Sequence, residues 1–72
     1  MAEVLDYRGL RCPQPVMKAA IKIQTLPPGT TVEVLADCVE FPHQVKEWCD
    51  KSGRVLVNLV NKGAYHSATI RS

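Results

Sequence analysis

A chain of 72 residues makes one small domain, residues 1–72, and buries only ~60% of the surface it exposes when unfolded. Its core is thin and leaves no volume for a deep enclosed active site, so any chemistry belongs at the surface or in a shallow groove. Nine Lys and Arg against seven Asp and Glu give a formal charge of +2, too mild to signal nucleic acid, and 46% hydrophobic with 22% charged residues argues against disorder.

Three cysteines, Cys12, Cys38 and Cys49, form an odd set without Cys-x-x-Cys spacing. A small secreted protein would more often carry an even disulfide framework. The chain opens Met-Ala-Glu and runs straight into a strand-like segment, with no apolar stretch of signal-peptide or membrane-span length. A reducing, cytoplasmic location without membrane contact is expected.

Turn residues cut the chain into six elements. Val4 to Tyr7 reads as a short strand ended by Gly9. From Pro13 to about Leu26, Val16, Ala20 and Ile23 recur at helical spacing, with Met17 and Ile21 beside them. Pro27-Pro28-Gly29 stops that helix. Thr31 to Ala36 is a β-branched strand with Glu33 opposite Val32 and Val34, and Asp37 to Glu40 is a loop. Pro42 suits the first turn of a second helix, which carries Val45, Trp48 and Cys49 on one stripe and ends near Gly53. Arg54 to Asn61 reads as a strand with Val55, Val57 and Leu59 on one face. Lys62-Gly63 turns into a last strand, about Tyr65 to Arg71.

The order β-α-β-α-β-β predicts an α+β two-layer sandwich: a four-stranded mixed sheet, mostly parallel, with both helices on one face. The closing hairpin adds an antiparallel strand, and one sheet face is left more open than the other. If the first two strands run parallel, their C-terminal ends share one end of the sheet. The loops bearing Cys12 and Cys38 are then neighbours.

The segment with most chemical content is Leu5-Asp6-Tyr7-Arg8-Gly9-Leu10-Arg11-Cys12-Pro13-Gln14-Pro15. Cys12 stands at the expected N-cap of the first helix, directly before a proline. The first N–H groups of a helix lack internal partners and carry partial positive charge, which favours a thiolate. Arg8 and Arg11 would act in the same direction if their side chains turn inward. Pro13 and Pro15 have no N–H and stiffen the turn, leaving Gln14 or Val16 as amide donors to the sulfur. A persulfide, with its acidic terminal sulfur, is well served by such a setting on an open surface. Against this stands the common fate of a free cysteine as a small buried hydrophobe. Arg8, Arg11, Lys18 and Lys22 make a basic stretch that is either a solvated face or a docking surface for an acidic partner, with Lys18 and Lys22 the helix contribution.

The run Asp6-x-Arg8-Gly9-Leu10-x-Cys12-Pro13-x-Pro15 resembles the signature of the TusA/SirA-like sulfur carrier family. The likeness continues through Pro28-Gly29, Ala36-Asp37, Trp48-Cys49 and Gly53, and so covers the whole chain. It implies a β-α-β-α-β-β sandwich and a sulfurtransferase-type persulfide carrier, with the Cys-Pro-x-Pro cysteine, here Cys12, holding the sulfur. It also implies a cysteine desulfurase or rhodanese-like donor and an acceptor protein. Family recipients include tRNA thiolation, molybdenum cofactor synthesis and sulfur oxidation. No separate cofactor is implied beyond the covalent persulfide on Cys12, and a carrier that docks alternately with two partners is expected to be a monomer that contacts no nucleic acid directly.

The chain departs from the common pattern after Ala36-Asp37, where many members have an acidic residue and then proline; here Cys38-Val39 follows. Cys38 is therefore a candidate second thiol, able to resolve the persulfide as a disulfide or to accept sulfur from Cys12. The plainer reading is a loop cysteine in a small neutral position. Cys49, on the inner stripe of the second helix, reads as core, as does Trp48. Phe41 before Pro42 reads as a staple for that helix. His43 and His66 show no ligand spacing with the cysteines, so no metal site is expected. Two further functions stay open: a non-catalytic regulatory or RNA- or protein-binding module, and a Cys12/Cys38 dithiol redox protein.

Overall fold

The computed structural model describes residues 3–72, so Met1 and Ala2, named in the expectation of no signal peptide, lie outside the described residues. Six elements follow the expected order: β1 (Glu3–Asp6), α1 (Gln14–Gln24), β2 (Thr31–Ala36), α2 (Phe41–Ser52), β3 (Val55–Asn61) and β4 (His66–Arg71). The two helices cover one face of a four-stranded sheet, as the predicted sandwich requires.

The sheet order is β1-β2-β4-β3. β1 and β2 are parallel, Leu5 opposite Val34, while β4 runs antiparallel to β2 on one side and to β3 on the other. As expected, β1, β2 and β3 point the same way and only β4 is reversed; because β4 slots between β2 and β3, β1–β2 is the one adjacent pair that is parallel. Strand alternation then sorts the residues. On the helix side, Leu5, Val32, Val34, Ala36, Ala68 and Ile70 join Val16, Ala19, Ile23, Phe41, Val45 and Cys49 in one buried cluster. On the open side, Ser67 donates its hydroxyl hydrogen bond to the Glu33 carboxylate, which gives the buried Ser67 hydroxyl a partner.

Three details of the side-chain pattern differ from the periodicity reading. In α1 the inner stripe is Pro15, Val16, Ala19 and Ile23, and Met17 and Ile21 are 57% and 66% exposed. In β3 a bulge at Val57 shifts the register, because Leu56 pairs with Ile70 and Asn58 with Thr69. Val55 and Val57 therefore face outward while Leu56 and Leu59 pack against the core; the single face proposed for Val55, Val57 and Leu59 does not exist. Phe41 is no staple outside the helix. It is the first helical residue after the Glu40 N-cap, is fully buried, and ranks among the largest side chains in the core. Trp48 sits at the margin, half-buried against the cluster, with the Arg54 guanidinium 5.9 Å from its ring centroid.

Helix ends follow their local chemistry. α2 closes on Gly53 in the left-handed region at φ 76°, where any Cβ would be strained. α1 starts later than expected. Its N-cap is Pro13, with Pro15 at the second helical position. Pro13 itself lies outside the helical region at φ −99°, ψ 22°, and Pro15 takes the place inside the first turn that suits a proline. The helix thus begins at Gln14, with Cys12 one residue before its cap.

Candidate functional site

The site forms where the parallel strands β1 and β2 end. Tyr7 extends their ladder by one bond, its N–H donating to the Leu35 carbonyl at 2.8 Å. The chain then turns through Gly9 at φ 90°, with the Leu10 N–H donating to Tyr7 O at 3.3 Å. The Gly9 N–H donates to Asp37 Oδ2 at 3.0 Å, fastening the β1–α1 loop to the β2–α2 loop. Downstream of each anchor stands a cysteine, Cys12 three residues after Gly9 and Cys38 directly after Asp37.

Those two cysteines meet. They are paired sulfur to sulfur, with Cα atoms 5.9 Å apart across a sequence separation of 26, a spacing within the disulfide range. The neighbourhood inferred from parallel β1 and β2 is what the fold delivers. Both residues are half-buried, so the pair lies at the surface with its outer side open. The Cys38 carbonyl accepts from the Phe41 N–H at 3.1 Å, which ties this loop to the core residue that opens α2.

The surroundings of Cys12 differ from the N-cap geometry. The Cys12–Pro13 peptide is cis, and the Gln14 N–H donates to the Arg11 carbonyl at 2.8 Å. Gln14 is therefore not the amide donor to the sulfur. The field of the helix terminus weakens beyond its first turn, and Cys12 stands one residue before the cap. Pro13 closes the Cys12 turn, and Pro15 is buried beneath it in the α1 stripe.

Arg8 is engaged elsewhere. Its Nε and Nη2 donate to the Asp6 carboxylate at 2.9 and 2.8 Å, and its guanidinium lies 5.0 Å from the centroid of the Tyr65 ring. Asp6, Arg8, Gly9, Asp37, Ala64 and Tyr65 line a shallow groove of ≈ 520 Å³. Arg8 thus serves this groove rather than aiming inward at Cys12. Arg11 is exposed and, among the described residues, makes no ion pair with a carboxylate. Lys22 reaches Glu3 at 3.3 Å, and Lys18 is exposed. Lys18, Ile21 and Lys22 line a second groove, with Tyr7 and Thr25.

Sequence reasoning missed the Asp37 tie and the Tyr65 contact. The Asp6-x-Arg8 spacing was a usable signal for the ion pair, since residues two apart at a strand end can share a turn. The Arg8 guanidinium holds the Asp6 carboxyl at about 2, chiefly by donating hydrogen bonds to it. Because the folded value lies below the ordinary one, the pair's contribution to stability is complete above the usual carboxylate range and is lost progressively as pH falls from that range through about 2. Carbon-detected NMR titration of Asp6 is expected to give a midpoint near 2, returning to the ordinary carboxylate range in Arg8→Gln. A midpoint already ordinary in the parent protein would contradict the pairing.

Cys49 is 3% exposed, and burial pushes its thiol above the ordinary range, with Arg54 opposing. After reduction, iodoacetamide is expected to modify Cys12 and Cys38 promptly and Cys49 only in denaturant, as counted by intact mass. Fast modification of all three would show that Cys49 is not core. His43 lies on the exposed side of α2 near Glu47, at 3.6 Å. Among the described residues no group of His, Cys, Asp and Glu could hold a metal ion, and none of the helices is long and apolar enough to cross a membrane.

A family model described as sulfurtransferase TusA matches residues 3–72. The chain is 31% identical over 68 residues to a protein named sulfur carrier protein TusA from Buchnera aphidicola, covering 94% of this chain and 86% of that one. It is 35% identical over 54 residues to the protein of the same name from Pseudomonas aeruginosa, covering 75% and 68% of the two chains. A putative sulfur carrier protein of Archaeoglobus fulgidus is 29% identical over 68 residues, or 94% and 93%. Among solved structures, a SirA-like protein from Desulfitobacterium hafniense superposes with a TM-score of 0.83 over 100% of this chain and 97% of that one, at 22% identity. That last likeness speaks for the fold.

Proposed function

Because the chain belongs to the TusA family of sulfur carriers, we infer that Cys12 is the residue that holds the cargo, as a persulfide, and hands it to an acceptor protein. The supporting observation is its place: a half-buried cysteine on the turn before α1, inside the Cys-Pro-x-Pro run, at the open end of the parallel strand pair. Cys49 is sealed in the core and has no route to a partner.

Loading is a thiol exchange. The Cys12 thiolate attacks the terminal sulfur of a donor's persulfide, the bond between the donor's two sulfurs breaks, and the donor leaves as a thiolate. A cysteine desulfurase or a rhodanese-like protein has the required persulfide. Delivery repeats the exchange in the other direction, towards an acceptor. The sulfur is cargo and calls for no separate cofactor. A role that depends on a free thiol suits a reducing compartment such as the cytoplasm. Exposed Met17, Ile21 and Lys18 on the outer side of α1, the helix that follows the Cys12 turn, supply an apolar and basic surface for an acidic partner. A monomer leaves this surface free to engage donor and acceptor in turn.

The sulfur pairing of Cys12 with Cys38 would by itself also suit a dithiol redox protein; family membership decides for carriage. The test is intact mass after the reduced protein is incubated with a cysteine desulfurase and cysteine. A gain of one sulfur atom supports the reading. A mass that stays at the reduced value, beside a TusA control that loads, overturns it.

A further inference from the structure

Cys38 is the residue that the carrier reading does not use, yet its thiol reaches Cys12. The two Cα atoms are 5.9 Å apart and the two sulfurs face each other. The Gly9–Asp37 hydrogen bond at 3.0 Å and the Phe41–Cys38 bond at 3.1 Å hold the two loops in that relation. The juxtaposition therefore belongs to the fold, and no loop has to move to create it.

We propose that Cys38 is a resolving thiol which discharges the Cys12 persulfide by releasing hydrogen sulfide. This step rests on the persulfide reading of Cys12 and deepens it. A sulfur added to Cys12 makes Sγ, the atom that Cys38 faces, the inner sulfur of the persulfide. The Cys38 thiolate attacks Cys12 Sγ, the Cys12–Cys38 bond forms, the bond to the terminal sulfur breaks, and that sulfur departs as hydrosulfide. The Cys38 sulfur is oxidised and the departing sulfur is reduced by the same electron pair, so no external oxidant takes part. Hydrosulfide is a good leaving group because its conjugate acid is more acidic than an alkyl thiol, and the reaction gains from holding both sulfurs in place. The product is a Cys12–Cys38 disulfide, which the 5.9 Å Cα spacing accommodates. A dithiol reductant of the thioredoxin class then returns both thiols and opens the carrier to reloading. Sulfur on this protein thus has two exits: transfer to a docked acceptor, or release as sulfide when none is present.

The test compares the parent protein with Cys38→Ser and Cys38→Ala. Each is reduced, loaded with a cysteine desulfurase and cysteine, freed of donor by gel filtration, and followed without reductant by intact mass and sulfide assay. The parent is expected to release one sulfide per loaded chain and to end two hydrogens lighter than its dithiol form. A non-reducing peptide map should then show Cys12 joined to Cys38, and dithiothreitol should restore the dithiol mass. Both variants should keep their sulfur at least about tenfold longer, since the intramolecular route is gone. Equal persulfide lifetimes in parent and variants, or sulfur recovered on Cys38 of the parent, would overturn the resolving role and leave carriage standing. Failure of all three proteins to take up sulfur would overturn the carrier reading, and the resolving step with it.

Discussion

Cys12→Ser is expected to bring sulfur uptake down to the level seen without protein. A serine oxygen cannot hold a transferable sulfane sulfur, and neither remaining cysteine takes over the role. Cys49 is sealed at 3% exposure, and Cys38 sits beside Cys12 as the attacking thiol rather than the loading one. The substitution changes one half-buried atom at the surface, so stability should move by no more than about 0.5 kcal/mol, and the circular dichroism spectrum should be unchanged. Loss of loading in a folded protein then reports chemistry and not collapse. The readout is intact mass after incubation with a cysteine desulfurase and cysteine, with tryptic mapping of any sulfur gained. Sulfur still acquired by Cys12→Ser, mapped to Cys38, would move the carrier residue to the second loop.

The largest effect on stability is expected from Phe41→Ala. Phe41 is 0% exposed and central to the one buried cluster, and deleting a buried aromatic ring costs ~3–5 kcal/mol. A domain of this size has ~5–10 kcal/mol in total, so the variant should be partly unfolded at room temperature or have its urea midpoint cut by about half. Phe41→Leu keeps most of the volume and should lose ~1.5 kcal/mol or less. A loss below about 1 kcal/mol for the alanine variant would instead fit the peripheral staple expected from sequence. Because the Phe41 N–H also donates to the Cys38 carbonyl, weakening this seat should loosen the cysteine pair as well.

Element order and the meeting of Cys12 with Cys38 were legible because they depend on local turn signals and one topological rule. Pro27-Pro28-Gly29 and Gly53 punctuate the chain wherever they stand, and two parallel strands must end together. The features that were misread depend on distant partners. Nothing within Arg54 to Asn61 reveals the bulge at Val57, since it arises from pairing with β4. Nor does α1 alone show that Ala19, not Ala20, faces the sheet, because both are alanine and only the packed angle of the helix decides. At the site, the Cys-Pro-x-Pro run places Cys12 where β1 and β2 end, while the helix starts one residue later than its N-cap reading implies. Pro13 and Pro15 both suit a first helical turn, and only the folded chain shows that Pro15 lies inside it while Pro13 is the cap. Arg8 could bear on the sulfur only with its side chain turned inward, and a carboxylate two residues away offers it two hydrogen bonds instead.

The insertion of β4 between β2 and β3 bears on how the molecule can be assembled. The strand in the middle of the sheet is the one the ribosome makes after its three companions. β3 leaves the exit tunnel with α2 to rest on but no strand beside it, and β2 waits with one edge bare. Cooperative closure of the sheet thus waits on β4, whatever the order in which the other strands appear.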